Sequence, residues 1–251
     1  MLTAFLGFWQ LDRARQKDAI EASVRSRGQQ APLAAAELTG DAEQMHRLAV
    51  LEGRWLAHST VFLENRPMDG RAGFIVVTAL ALPDGRTVLV QRGWQARDLL
   101  DRTLIQPVPT PVELSVRLQA RVAPPPSRLM DFQGGVQGPI RQNVDLSAYA
   151  NEFGLPAFLP MSLQQLQPSV ACVNGACTER LDDGLKRAWT VVGSSADKNR
   201  GYAVQWFSLS ALVLGLFAWF QWLRPWQQRR HAQASGTSGP PGPPGQPGPS
   251  A

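Results

Sequence analysis

The sequence predicts a membrane protein with a mainly-β extramembrane domain, barrel- or sandwich-like and carrying short helices, flanked by two transmembrane helices of which the first looks truncated. Three observations carry that expectation. Ala203 to Leu223 holds 21 residues without a charge. About 190 residues lie between Asp12 and Arg200, enough for one sizeable core. Much of that region reads as short apolar or alternating runs bounded by turn signals.

The charge-free stretch rises roughly 31 Å as a helix, close to the hydrocarbon thickness of a bilayer. Tyr202, Trp206 and Phe207 collect at one end and Trp219, Trp222 and Trp226 at the other, where amphipathic rings favour the headgroup layer. Ser208, Ala211, Gly215 and Ala218 share one stripe, and small stripes let helix backbones approach closely in lipid. They are the candidate helix-packing residues.

Leu2 to Leu11 is apolar but for Gln10 and then gives way to DRARQKDAIEASVRSR. Ten residues cover about 15 Å, half a bilayer. A short interfacial segment and the remnant of a full membrane helix shortened by a late start codon compete, and the second is preferred. A signal peptide is disfavoured because no basic residue precedes the apolar run. The organisation expected is therefore a helix remnant at 1–11, a β-rich domain at 12–200, a membrane helix at 203–223 and a Pro/Gly-rich disordered tail at 224–251. The positive-inside rule does not decide topology, since Arg13, Arg15 and Lys17 flank one segment and Arg224, Arg229 and Arg230 the other.

Strands are expected over Arg47 to Leu56, Val61 to Asn65, Gly73 to Leu82 and Thr87 to Trp94, the last two joined at Pro83-Asp84-Gly85 as a hairpin. With Asp84 and Gly85 central, Val77 falls opposite Arg92 and Ile75 opposite Trp94. Arg92 then shares a face with Val88, Val90 and Trp94 and needs a partner, with Glu64, Asp69 and Asp145 as candidates. Val112 to Val122 alternates without a fault. Asp145 is placed to cap a short helix through Phe153, with Gly154 ending it. Trp189 to Gly193 is the expected last strand.

The net charge is +5, but 25 basic residues are interspersed with 20 acidic ones, which makes nucleic acid a poor partner and anionic lipid a better one. Cys172 and Cys177, the two cysteines, sit in CVNGAC around an Asn-Gly turn. A disulfide is sterically reasonable there, with a free thiol pair and a metal or redox role as alternatives. No HExxH, GxSxG, GxxxxGK, GxGxxG or CxxCH motif occurs, and no metal site is assigned. Arg66 and Arg92 each end a strand, and either an ion pair or an acidic group such as a haem propionate would satisfy them.

The runs LGFWQLDRARQK, ENRPMDGRAGFIVVTAL, VLVQRGW and GYAVQWFSLSAL, in that order, resemble the surfeit locus 1 family of cytochrome c oxidase assembly factors. The resemblance spans Leu6 to about Leu212. It implies two membrane helices around a β-rich domain on the periplasmic or intermembrane side, no catalysis, and a role with oxidase subunit I and other assembly factors around insertion of haem a, in a bacterial inner membrane. Motif by motif it singles out Trp9, Gln10, Arg66, Pro67, Gly73, Arg92, Gly93, Trp94, Tyr202, Gln205 and Trp206. Of these Tyr202, Gln205, Trp206 and Arg92 are the candidate contacts to haem a or a partner. Some bacterial members bind haem with a histidine just before the GYA motif, and here Asn199 stands in its place, against axial ligation. The alternative function is a membrane-anchored periplasmic sensing or binding module without catalytic activity.

Overall fold

The computed structural model describes residues 2–101, 104–126, 138–189 and 196–224. Two compact units make up the chain, one drawn from Met1–Asp18 and Gly193–Ala251, the other from Ala19–Val192.

The larger unit is built on eight strands: β1 (Leu48–Leu63), β2 (Gly73–Ala81), β3 (Thr87–Ala96), β4 (Ser115–Ala123), β5 (Ile140–Arg141), β6 (Phe158–Gln165), β7 (Val170–Val173) and β8 (Ala176–Arg180). Five of them close a ring in the order β1-β2-β3-β6-β4, because β1 pairs with β2 along its second half and with β4 along its first. The β3–β6 pairing is parallel and the others antiparallel, giving a five-stranded Greek-key barrel. Closure leaves few free edges: β5 adds to β1, and the β7–β8 hairpin extends from β4.

Local chemistry explains the bends. The two runs expected at 47–56 and 61–65 form one continuous strand, β1, with a register shift between Leu56 and Val61. Ser59 holds that bulge, its Oγ donating to the Leu56 carbonyl at 2.7 Å and accepting from Ala79 N–H at 2.9 Å. β4 alternates as expected, with Val116, Leu118, Ala120 and Val122 buried and Arg117 and Gln119 exposed. One apolar cluster gathers Trp55, Leu80, Val88, Val90, Leu118 and Leu163. A second joins Val61, Val77, Ala79 and Leu89 to Tyr149 of α2 (Leu146–Glu152), whose N-cap Asp145 accepts from Ser147 N–H and Ala148 N–H. Gly154 follows at φ +59, the left-handed stop.

Strands β5 to β8 were not expected. Pro160 and the polar Ser162, Gln164 and Gln165 disguise β6, where Ser162 and Gln165 are nonetheless fully buried. The expected strand at Trp189 to Gly193 lies outside the described residues except for Trp189, whose Nε1 donates to the Gln165 carbonyl at 2.6 Å. The expected tail lies outside them from Pro225 onward.

In the smaller unit, α3 (Ala196–Ala218) runs on as a wider π-turn over Trp219–Leu223. Among the described residues, Ala196–Gln221 is the one helix long and apolar enough to cross a membrane, and almost none of it is buried. Leu212, Leu214 and Phe217 all point outward, an arrangement suited to lipid rather than to a protein core. The helix begins earlier than Ala203 by a polar turn holding Asp197, Lys198 and Arg200.

Helix α1 (Leu2–Gly28) continues well beyond the apolar run that ends at Leu11. No glycine or proline interrupts 8–27, and Ala and Arg, both good helix formers, recur along the stretch. Within the smaller unit its Leu2–Asp18 portion packs antiparallel on α3. Thr3 meets Ser210 at 2.7 Å, the Phe8 and Phe207 rings meet edge to face at 5.1 Å, and Asp18 pairs with Arg200 at 2.5 Å. Gly7 permits this approach, since a Cβ there would lie 2.7 Å from the Phe207 ring.

Candidate functional site

The motif residues resolve into two groups, one in each unit. In the barrel unit, ENRPMDGR is a hairpin tip. Met68 and Arg71 exchange both backbone hydrogen bonds, and Asp69 and Gly70 carry φ +51 and +74 between them, as a type I′ turn requires. Arg66 is buried beneath that tip and donates through Nη2 to the Gln142 carbonyl at 2.9 Å, while Pro67 is exposed.

Trp94 locks the tip to the barrel. Its indole Nε1 donates to the Arg66 carbonyl at 2.6 Å, and its backbone exchanges bonds of 2.7 and 2.9 Å with Lys186. Two glycines make room. A Cβ on Gly73 would overlap the Trp94 ring and the Gln95 carbonyl, and one on Gly93 would lie 2.7 Å from the Leu185 Cβ. Arg66, Gly73, Gly93 and Trp94 are therefore one packing knot.

The expected register holds in part. Ile75 does face Trp94, but Val77 faces Gln91, because a bulge between Val76 and Val77 leaves Arg92 without a cross-strand partner. Arg92 stays on the expected face, its guanidinium 4.7 Å over the Trp55 ring, and is only 1% exposed. Its partner is none of Glu64, Asp69 or Asp145. Arg92 reaches Asp183 at 3.4 Å, Thr110 Oγ1 at 2.6 Å and the Pro109 carbonyl at 2.8 Å. Asp183 also takes Arg187 at 2.5 Å, so one buried carboxylate serves two guanidiniums. Burial lowers the Arg92 guanidinium from its ordinary value to about 10, opposed by Asp183 and reinforced by Arg187. The terminal nitrogens of Arg92 are committed to groups inside its own domain.

In the smaller unit a polar network joins the helices. Asn199 donates through Nδ2 to Gln10 Oε1 at 2.5 Å and accepts on Oδ1 from Lys17 Nζ at 2.6 Å. Both ends of the amide are thereby engaged, and an amide is not the imidazole that haem iron takes from protein. Asn199 does not fit an axial-ligand role and serves instead as a clamp between α1 and α3. Around it Trp9, Tyr202 and Gln205 are exposed, with Trp206 half-buried. Of the small stripe, Ser208, Ala211 and Gly215 are exposed, and beyond its own helix backbone a Cβ on Gly215 would meet open space. The stripe that packs on α1 is a different one, through Ala203, Phe207 and Ser210.

Cys172 and Cys177 face each other across β7 and β8 and are joined as a disulfide, with Asn174 and Gly175 at φ +53 and +80 making the turn. Sequence reasoning missed Asp183, Arg187, Lys186 and Lys17. The signal for the first three was LDDGLKRAW, where paired carboxylates before a glycine precede two basic residues.

A closed barrel domain joined to a helix able to cross a membrane, with Arg66, Gly73, Gly93 and Trp94 in a packing knot and Gln10 in a helix clamp, defines a membrane-anchored β-barrel protein. The SURF1 family model matches residues 1–211. This chain belongs to the SURF1 family, whose members are membrane proteins. No curated protein matches it.

Proposed function

We propose that this protein is a non-catalytic, membrane-anchored assembly factor for cytochrome c oxidase in a bacterial inner membrane, holding subunit I while haem a is installed. The family match over residues 1–211 carries that reading. The Cys172–Cys177 disulfide supports a periplasmic barrel domain, because disulfides persist in oxidising compartments. The engaged Asn199 favours a scaffold that positions the oxidase subunit over one that ligates iron itself. Trp9, Tyr202 and Gln205 supply exposed aromatic and amide groups for a protein partner.

Deleting the protein is expected to lower cytochrome c oxidase activity and its haem a content while leaving quinol oxidases without haem a intact. Unchanged activity and haem a in the deletion strain would refute the reading.

Helix α3 supplies a second prediction. Gly215→Leu keeps the helix apolar and inserted but fills the open stripe of Ser208, Ala211 and Ala218. Recovery of oxidase subunit I with the purified variant is expected to fall by several-fold at unchanged membrane insertion; equal recovery would show that the stripe contacts lipid alone.

A further inference from the structure

The β7–β8 hairpin brings together three groups that the assembly role does not use. Cys172 and Cys177 occupy directly opposed positions, and the half-exposed carboxylate of Glu52 lies alongside, with Oε1 3.9 Å from Cys177 Sγ. The three potential donor atoms lie within 4.8 Å of one another. Each stands on a strand, Glu52 on β1 and the cysteines on β7 and β8, so backbone pairing fixes their spacing. Arg117 holds Glu52 through Nε at 2.9 Å and Nη2 at 2.5 Å, both on Oε1.

We propose that the reduced form of this hairpin binds one thiophilic divalent cation of the zinc class through Cys172, Cys177 and Glu52. Reduction comes first, and a dithiol is the reductant class that would supply it in the cell. The dithiol gives two electrons and two protons, its own sulfurs join as a disulfide, and the Cys172–Cys177 bond breaks to two thiols. Metal binding then releases those two protons to solvent and leaves two thiolates on the cation.

The charges and distances suit that chemistry. Two thiolates and a carboxylate carry three negative charges, which a divalent cation and the Arg117 guanidinium together neutralise. Tetrahedral coordination at about 2.3 Å per Zn–S bond needs the sulfurs about 3.7 Å apart, which side-chain rotation provides on opposed strand residues. Thiolate sulfur with a carboxylate oxygen selects zinc-like ions over calcium or magnesium, which take oxygen alone. Both cysteines are half-buried, open enough for a reductant and a metal to reach. Three protein ligands leave a fourth position for water or for a donor from a partner.

The test uses tag-free full-length protein in detergent, titrated with Co2+ in the oxidised form and after reduction by a non-chelating phosphine. The reduced protein is expected to bind one Co2+ with a thiolate-to-cobalt charge-transfer absorption that Zn2+ then bleaches, and the oxidised protein to show none. Because the chain has two cysteines, that absorption reports this pair alone. Glu52→Gln, at a half-exposed position that tolerates the change, is expected to weaken Co2+ binding by at least about tenfold. Absence of the charge-transfer band in the reduced protein at micromolar Co2+, or equal affinity in Glu52→Gln, would overturn the three-ligand site.

Discussion

Replacing Asp183 with asparagine is expected to destabilise the barrel domain by about 3–5 kcal/mol, the usual cost of removing one partner from a buried ion pair. The carboxylate is 4% exposed and is shared by Arg92 and Arg187, whose side chains are 1% and 7% exposed. Losing it strands two cations at once. For a domain of this size the melting temperature should fall by about 10 °C or more. Arg92→Gln should cost less, because Asp183 would keep Arg187 and because desolvation already opposes the charged form of Arg92. Thermal melts of the full-length variants in detergent give the comparison. A smaller loss for Asp183→Asn than for Arg92→Gln would mean that the arginine, not the carboxylate, organises the cluster.

That cluster also marks where sequence reading stops. The burial of Arg92 and its company of Val88 and Val90 follow from strand alternation, which depends only on neighbours. Its partner lies 91 residues away and enters through a loop, so no local pattern points to it. The register of the β2–β3 hairpin shows the same limit at shorter range. Ala81 pairs with Thr87 and Leu82 N–H bonds the Arg86 carbonyl at 2.8 Å, a loop of three residues rather than two, which shifts the near half by one position until the bulge at Arg92 restores it. The longer turn is set by Arg86, which binds Asp84 and reaches the carbonyls of Leu38 and Ala35, contacts that require the folded domain. By contrast, the Asp145 cap, the alternation of β4 and the charge-free span of α3 are local, and each was legible. The motif residues were legible as a set but not in their roles, since Gly73 and Gly93 disclose their purpose only when Trp94 and Leu185 lie against them.

The role assigned to Trp94 gives the other large expected effect. Trp94→Ala removes a side chain that is 2% exposed, and such truncations cost about 3–5 kcal/mol. The loss includes the hydrogen bond that the indole Nε1 donates to the Arg66 carbonyl beneath the hairpin tip. Trp94→Phe keeps ring bulk against Gly73 but not the donor, so it should fall between wild type and alanine, at about 1–3 kcal/mol. Measured in cells, oxidase assembly in these two variants should decline in step with the amount of folded protein. Trp9→Ala and Gln205→Ala, at exposed positions, should instead lower assembly at unchanged melting temperature and abundance. If Trp94→Ala melts within a degree of wild type yet loses assembly, the indole is a partner contact and the packing knot around Gly73 and Gly93 is not what fixes it.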